Sequence, residues 1–167
     1  MLRIACLALT TIIVAEPIAQ QAQDHLIVPG ERIGPISIGM STKQLFAVMG
    51  DPNATNGGHS YTWGSKESGE LSASTDLNGV VTWITTTHPA FATSDAVQVG
   101  SSSLMVMATL GRPGTSFKPY CAYDGSHCEF HCYKSGLMVD YNTVAGRVLA
   151  LNVVSPKKVL KLCDRKK

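Results

Sequence analysis

The chain has 167 residues, 44% of them hydrophobic, which suffices for one well-cored domain or two very small ones. Its formal net charge is only +2, which argues against a nucleic-acid-binding protein. The function therefore has to be inferred from local patterns.

The N-terminus has the pattern of a cleavable signal peptide. One basic residue, Arg3, precedes an apolar run of about 12 residues and then small residues. This run is too short to span a bilayer as a mature helix. The alternative, an N-terminal core helix, is weakened because the segment has neither a polar face nor an N-cap. We predict a signal peptide at 1–19, cleaved after Ala19 rather than Ala15 or Ala22, and hence a periplasmic or secreted protein.

Two stretches align without a gap, Ile38 to Pro52 and Val99 to Pro113. In the first, Ser41 is a suitable N-cap and Gln44 completes a capping box, so we predict a short helix from about Thr42. A glycine followed by a proline two residues later ends the helix in both copies. Each predicted helix is too short to persist alone and must pack on something.

Strand-like segments follow each predicted helix. They are rich in β-branched and aromatic residues and are separated by Gly, Ser and Asn. The segments are HSYTW, ELSAST and VVTWITTT after the first helix, and SFKPYCAY, HCEFHCY, LMVDY and RVLALNVV after the second. We predict two repeats, at about 33–88 and 96–155, that share one core in a domain at 20–156.

The spacing of the turn glycines indicates a small insertion in the second repeat. Gly79 aligns with Gly146 at an offset about six residues larger than that of the helices, a difference large enough for one extra hairpin. The cysteine hairpin is the simplest insertion. Aligning Ile84 with Leu151 then leaves Trp83 on the sheet face without helices, although a core position for Trp83 is the equally simple alternative.

Four cysteines remain once the predicted signal is removed: Cys121, Cys128, Cys132 and Cys163. An even number in an exported chain predicts two disulfides. A two-residue turn at Asp124-Gly125 would place Cys121 opposite Cys128, within reach of a bridge. Cys132 would then pair with Cys163. The other two pairings stay open.

The cysteines interleave with His127 and His131, which raises the alternative of a metal site. Alternation along a strand, however, sends the His pair and the Cys pair to opposite faces. We therefore expect no metal and no cofactor.

The C-terminus is predicted to be a basic tail at 157–167. It contains one acid and six basic residues: Lys157, Lys158, Lys161, Arg165, Lys166 and Lys167. Such a cluster suits weak contact with an anionic surface. A solvated chain end is the simpler interpretation.

The first helix motif is similar to a known repeat. Gly39-Met40-Ser41-Thr42-Lys43-Gln44-Leu45, closing on Gly50, resembles the repeat of the β-lactamase inhibitor protein family, and it is also similar to the single repeat of small outer-membrane assembly lipoproteins. The resemblance implies an α+β fold in which two tandem helix-plus-antiparallel-meander repeats form one curved sheet with helices on one face. It also implies a non-enzymatic protein binder.

The resemblance further implies a partner-binding residue. In the inhibitor family an acidic residue on the first hairpin enters the active site of the target, and Gly69-Glu70 matches that position. Glu70 is therefore the first candidate contact. The aromatic residues Tyr61, Trp63, Trp83 and Tyr123 complete the predicted partner-binding set.

An enzyme is the less favoured class. The sequence has no Gly-x-Ser-x-Gly elbow, no His-Glu-x-x-His motif and no phosphate-binding Gly-rich loop. The spacing of its histidines and aspartates predicts no cluster. We predict an exported protein-binding module, with inhibition of an extracytoplasmic enzyme as its specific form. An envelope-assembly or cell-wall accessory factor is the alternative, and a small hydrolase the third.

Overall fold

The computed structural model describes residues 24–117 and 128–163. This part of the chain contains three helices, α1 (Thr42–Met49), α2 (Ser103–Leu110) and α3 (Pro156–Cys163). Twelve strands accompany them: β1 Leu26–Val28, β2 Arg32–Ile33, β3 Ile36–Ser37, β4 Ala54–Asn56, β5 Ser60–Ser65, β6 Gly69–Thr75, β7 Val81–Thr86, β8 Ala92–Thr93, β9 Thr115–Phe117, β10 Cys128–Cys132, β11 Leu137–Asn142 and β12 Arg147–Val154. The predicted α+β class is confirmed.

The main sheet has eight strands in the order β4-β5-β6-β7-β12-β11-β10-β9. Its neighbouring strands are antiparallel, and the centre of the sheet is the pairing of β7 with β12, in which Ile84 lies opposite Val153. We call α1 with β4–β7 half one, and α2 with β9–β12 half two. A second sheet, in the order β3-β2-β1-β8, includes a parallel pairing of β1 with β8.

The two halves attach their helices to the sheet in the same way. The Gly39 amide donates to the Val81 carbonyl at 2.8 Å, and the Gly100 amide donates to the Val148 carbonyl at 2.9 Å. In half one Ala54 pairs with Thr62, and in half two Thr115 pairs with Cys132. Because Ala54 and Thr115 follow their helices at the same distance, Thr62 and Cys132 occupy equivalent positions of the two halves. The extra residues of half two therefore fall between β9 and β10, where the cysteine hairpin was predicted. That hairpin, at 118–127, lies outside the described residues.

Both helices begin and end where the sequence predicts. The Ser41 hydroxyl accepts from the Gln44 amide at 3.3 Å, and the Gln44 side chain accepts from the Ser41 amide at 2.9 Å, which is the predicted capping box. Ser102 caps α2 by accepting from the Met105 amide at 3.2 Å. Each helix ends at a glycine with positive φ, 71° at Gly50 and 76° at Gly111.

One face of the main sheet, the inner face, carries the core. Leu45 of α1 and Val106 of α2 are fully buried against it, together with side chains of the small sheet such as Ile33. The inward-pointing residues of the central strands alternate with outward-pointing ones, as in Ile84 and Leu151. Both of these residues are fully buried in the core.

The opposite face, which we call the outer face, is partly covered by α3. Val159 of this helix is 2% exposed and packs with Cys132, Met138 and Val154. The first part of the segment predicted as a tail is thus a helix fixed to the sheet. The expectation of helices on one face holds for α1 and α2 only, because the apolar outer face of half two needs a cover.

Candidate functional site

The outer faces of the two halves differ in chemistry. Half two presents mainly apolar side chains there, such as Met138 and Val154, and α3 packs on them. Half one presents Ser and Thr at the aligned positions and is not covered by a helix of the described chain. We call this uncovered part the hydroxyl surface; its residues are Ser60, Thr62, Glu70, Ser72, Ser74 and Thr85.

All residues of the hydroxyl surface are half-buried, as expected for side chains standing on an uncovered sheet. Thr62, Ser72 and Thr85 lie side by side on three consecutive strands. Ser74 and Ser60 form a second row, with their hydroxyl oxygens 3.5 Å apart. The surface therefore offers several donors and acceptors with little net charge.

Glu70 is the only acid of the hydroxyl surface and stands where β6 leaves the β5–β6 hairpin. Its amide donates to the Thr87 hydroxyl at 2.9 Å, and its carbonyl accepts from the Thr87 amide at 2.9 Å. The side chain has no ion-pair partner among the described residues. A fixed backbone and a carboxylate without an ion-pair partner in the described ranges make Glu70 suitable for contact with a cationic or hydrogen-bond-donating partner.

Trp83 forms the border between the hydroxyl surface and α3. It lies opposite Ser74 on one side and Val154 on the other, on the outer face. The Lys158 ammonium group lies 5.8 Å from its ring centroid and donates to the Thr82 hydroxyl at 2.9 Å. Burial lowers the pKa of Lys158. Lys158 therefore joins α3 to half one, and Trp83 is half-buried rather than free.

A buried polar network continues from Trp83 into half two. The Trp83 indole N–H lies 2.8 Å from the Thr85 hydroxyl and 3.1 Å from the Asn152 amide oxygen. The Asn152 amide group donates to the Asp140 carboxyl at 2.9 Å. Burial raises the pKa of Asp140 to about 8, and the hydrogen bond from Asn152 opposes this shift only in part. The network fixes the edge of the hydroxyl surface.

The other predicted contact residues are placed differently. Tyr61 is 8% exposed and Trp63 is 7% exposed, and both belong to the core on the inner face. The Tyr61 hydroxyl donates to the Gly58 carbonyl at 2.7 Å, and the Trp63 N–H donates to the Gly50 carbonyl at 3.3 Å. Their side chains pack in the core on the inner face of β5 and do not face a partner. Tyr123 lies outside the described residues.

Two of the predicted disulfide cysteines are described with their side chains. Cys128 and Cys132 are buried on the outer face, and both are disulfide-bonded. Cys121 lies outside the described residues, and Cys163 is the last residue of α3. The connectivity therefore stays a prediction. His131 faces the inner side, opposite the two cysteines, as strand alternation predicts.

The sequence did not point to Asp140, Asn152 or Lys158. A polar residue flanked by apolar ones in each of the strands LMVDY and RVLALNVV was the available signal, because such a residue needs a partner when it is buried. Lys158 was counted only as part of a basic cluster.

The described ranges contain no group of three or more His, Cys, Asp and Glu side chains that would hold a metal ion. The rings of His25 and His88 lie against Phe91 at centroid distances of 5.0 and 5.9 Å. No helix in the same ranges is long and apolar enough to cross a membrane.

Comparisons with known proteins find similar folds but show no function for this chain. The sequence matches no protein family and no curated protein. Among solved structures, YjgB of Bacillus subtilis, a DUF4309 family protein, is similar with a TM-score of 0.57 and 14% identity over 75% of this chain and 88% of that one. At this identity the likeness shows a shared fold only.

Two further structures are more distant. An extracellular protein of Bacillus anthracis with an SCP domain has a TM-score of 0.50 and 8% identity over 74% of this chain and 45% of its own. A protein of Streptococcus mutans, provisionally assigned as a β-lactamase inhibitor protein, has 19% identity over 66% of this chain and 79% of its own. Its TM-score of 0.26 is too low to carry an argument.

Proposed function

We propose that this chain is an exported, non-enzymatic binding module that contacts a protein partner through the hydroxyl surface, with Glu70 and Trp83 at its two ends. An extracytoplasmic enzyme is the favoured partner, and inhibition of that enzyme is the favoured consequence. The observation that carries the proposal is the difference between the halves: α3 covers the outer face of half two and leaves that of half one open.

The chemistry of the surface supports a macromolecular partner. Rows of hydroxyl groups on consecutive strands form a broad, rigid, hydrogen-bonding surface, and protein interfaces carry about one hydrogen bond per 100–200 Å². Glu70 adds one anionic contact whose backbone is held by two hydrogen bonds to Thr87. In the inhibitor family that the sequence motif resembles, the acidic residue at this position enters the active site of the target.

Affinity capture with matched variants tests the proposal. The mature oxidised protein is immobilised and exposed to envelope and culture-medium extracts, and bound proteins are identified by mass spectrometry. The test variant is Glu70→Lys with Ser72→Arg, which places two cations on the hydroxyl surface. The control is Asp51→Lys, an exposed change after α1 on the inner side.

The proposal predicts one enzyme that is retained by the parent and by the Asp51 variant but lost by the surface variant, and whose activity falls when the parent is added. Equal retention by all three proteins would overturn the site. Retention of assembly proteins or cell-wall fragments by all three would instead favour the envelope accessory factor. Deleting residues 157–167 would then have to abolish retention.

A further inference from the structure

Helix α2 exposes an apolar surface. None of its eight residues is charged, and only Val106 is buried in the core. Leu104 is 73% exposed, Met107 is 42% exposed and Met105 is 37% exposed. Single large apolar side chains are normal on a protein surface, but three of them on two turns of one helix form a contiguous patch.

The turn between β11 and β12 extends this surface. The Ser103 amide donates to the Gly146 carbonyl at 2.9 Å, so the turn lies against the first turn of α2. Val144, two residues before Gly146, is 78% exposed. We call these four apolar side chains the α2 patch; its residues are Leu104, Met105, Met107 and Val144.

A cation stands at each end of the α2 patch. Arg112 is exposed and follows the C-terminus of α2 by two residues. Arg147 is also exposed and pairs with Ser102, which caps the N-terminus of α2. Neither arginine has an ion-pair partner in the part of the chain that the structure describes. The stretches 96–117 and 141–154, which form α2 and its surroundings, contain no Asp or Glu.

Helix α1 provides an internal comparison. Lys43 of α1 stands at the position of Leu104, and Asp51 stands at the position of Arg112. Val48 is the one large apolar side chain that α1 exposes. The shared attachment of the two helices to the sheet therefore does not require an apolar outer surface, and the α2 patch is a feature of half two alone.

We propose that the α2 patch docks on an anionic lipid membrane. Its apolar side chains enter the bilayer at the level of the headgroups, and Arg112 and Arg147 contact the lipid phosphates on either side. Helices that lie in a membrane interface combine an apolar face with bordering arginines or lysines in this way. The contact is peripheral and reversible, because only a few side chains enter the bilayer.

The size of the α2 patch favours a membrane over a second copy of this chain. A helix of eight residues is about 12 Å long and about 10 Å wide, whereas a stable protein interface buries about 800 Å² per partner. Because both ends of the patch are cationic, any pairing of two copies would also bring arginines together. An anionic bilayer needs no matching surface and attracts each arginine.

Docking through α2 leaves the proposed partner-binding surface free. Helix α2 packs on the inner face of the sheet, whereas the hydroxyl surface and α3 lie on the outer face. A membrane beneath α2 is therefore on the opposite side of the sheet from Glu70 and Trp83. The basic residues of α3 take no part, which separates this contact from one made by the C-terminal tail.

Sedimentation with lipid vesicles tests the inference. The mature oxidised protein is mixed with phosphatidylcholine vesicles that do or do not contain phosphatidylglycerol, and the bound fraction is measured. We expect saturable binding to the anionic vesicles, which weakens as salt is added, and binding to the neutral vesicles that is weaker by about tenfold or more.

Variants at exposed positions locate the contact. Leu104→Gln with Met107→Gln should weaken binding to anionic vesicles by about tenfold or more. Arg112→Asp should weaken it by about fivefold or more. Leu77→Gln, in the aligned turn of half one, is the apolar control, because Leu77 is 91% exposed. Lys157→Asp on α3 is the control of equal charge change, and both controls should leave binding within about twofold of the parent.

A tryptophan probe reports the orientation. With anionic vesicles, the emission of the Leu104→Trp protein should shift to the blue and be quenched by brominated acyl chains, whereas Leu77→Trp should show neither effect. Equal binding to both kinds of vesicle, no binding, or equal losses for the Arg112 and Lys157 variants would overturn the proposal. So would a dimer that dissociates in the Leu104/Met107 variant, which would assign the patch to a second copy. None of these outcomes affects enzyme capture by the hydroxyl surface.

Discussion

Thr85 and Asn152 lie opposite each other where the two halves of the sheet meet, and the Thr85 hydroxyl donates to the Asn152 amide oxygen at 2.7 Å. The strand registers make these two residues equivalent positions of the two halves. The junction between half one and half two is therefore held on its outer face by a direct polar contact between aligned side chains. Trp83 and Asp140 extend this contact in opposite directions.

Removing the Asn152 side chain should destabilise the fold, because Asn152 joins Trp83, Thr85 and Asp140. We expect Asn152→Ala to lower the free energy of unfolding by about 3 kcal/mol and Thr85→Val by about 1 kcal/mol. Urea denaturation followed by tryptophan fluorescence gives both values. The double variant should show a coupling of about 1 kcal/mol; additive effects would mean that the two side chains act independently.

The stability of the protein should depend on pH through Asp140. Its pKa is about 8 in the folded protein, against about 3.9 when unfolded, so the unfolded state loses this proton first. The free energy of unfolding should therefore decrease by about 1 kcal/mol per pH unit as pH rises from 5 to 7.5. Below about pH 3 this contribution is constant, and above about pH 9 the loss is complete.

Asp140→Asn should remove that slope and make the protein more stable than the parent at pH 8. Denaturation curves at five pH values compare the two proteins. Glu67→Gln is the control, because Glu67 is fully exposed at the tip of the β5–β6 hairpin. Identical slopes for the parent and the Asp140 variant would show that this carboxyl is ionised in the fold.

Gly69 is required by the packing of the hairpin that presents Glu70. Its φ is 101°, and a Cβ there would lie 2.4 Å from the His88 Cα. Gly69→Ala should lower the free energy of unfolding by about 3 kcal/mol or more. Gly57→Ala, at φ 59° with open space around it, should cost only about 1 kcal/mol. Equal losses would indicate that backbone strain, not contact with His88, dominates at Gly69.

Replacing a buried tyrosine by phenylalanine should affect stability differently in the two halves of the core. Tyr61→Phe removes a hydrogen bond to the Gly58 carbonyl and should lower the free energy of unfolding by about 1 kcal/mol. Tyr141→Phe removes a buried hydroxyl that meets the Tyr133 phenol without a well-formed hydrogen bond, so we expect a smaller loss or a gain. Thermal unfolding of the parent and the two variants measures both. A loss at Tyr141 equal to that at Tyr61 would show that the Tyr141 hydroxyl contributes as much as one bonded to a carbonyl.

The anchoring of α3 leads to a prediction about the cysteines. Cys132 is disulfide-bonded and packs against Val159, and residue 163 ends the same helix one turn later. We expect non-reducing peptide mapping to find Cys132 linked to Cys163 and Cys121 linked to Cys128. Replacing Cys163 by Ser should then cost about 2–4 kcal/mol. A Cys121–Cys132 linkage would exclude this arrangement.

Local sequence patterns predicted the elements whose signals are local. The caps at Ser41 and Ser102 and the glycines that end each helix are short-range chemistry, and α1 and α2 lie where those residues place them. Strand alternation placed His131 on the face opposite the cysteines, whereas it left both faces open for Trp83, which lies on the outer face. The small sheet was missed because β2 and β3 have two residues each, too few to show a period.

The candidate site was only partly predictable. Glu70 and Trp83 do lie on one outer face, but period-two alternation alone does not say whether Tyr61 faces the core or a partner. That choice depends on Phe46, which covers Tyr61 from α1. The helix α3 was missed because Lys157, Lys158 and Lys161 made its segment look like a solvated tail, although Val159 is buried.

The central pairing of β7 with β12 also determines how this chain folds. Strands β4, β5 and β6 pair only with strands next to them in sequence, so this part of the sheet can form early, whereas Ile84 of β7 must also wait for Val153 of β12. Such long-range pairing is intrinsically slow because the loop between the strands must close first. Until β12 arrives, β7 is an unpaired edge with apolar side chains, and this interval is when the chain is most exposed to aggregation.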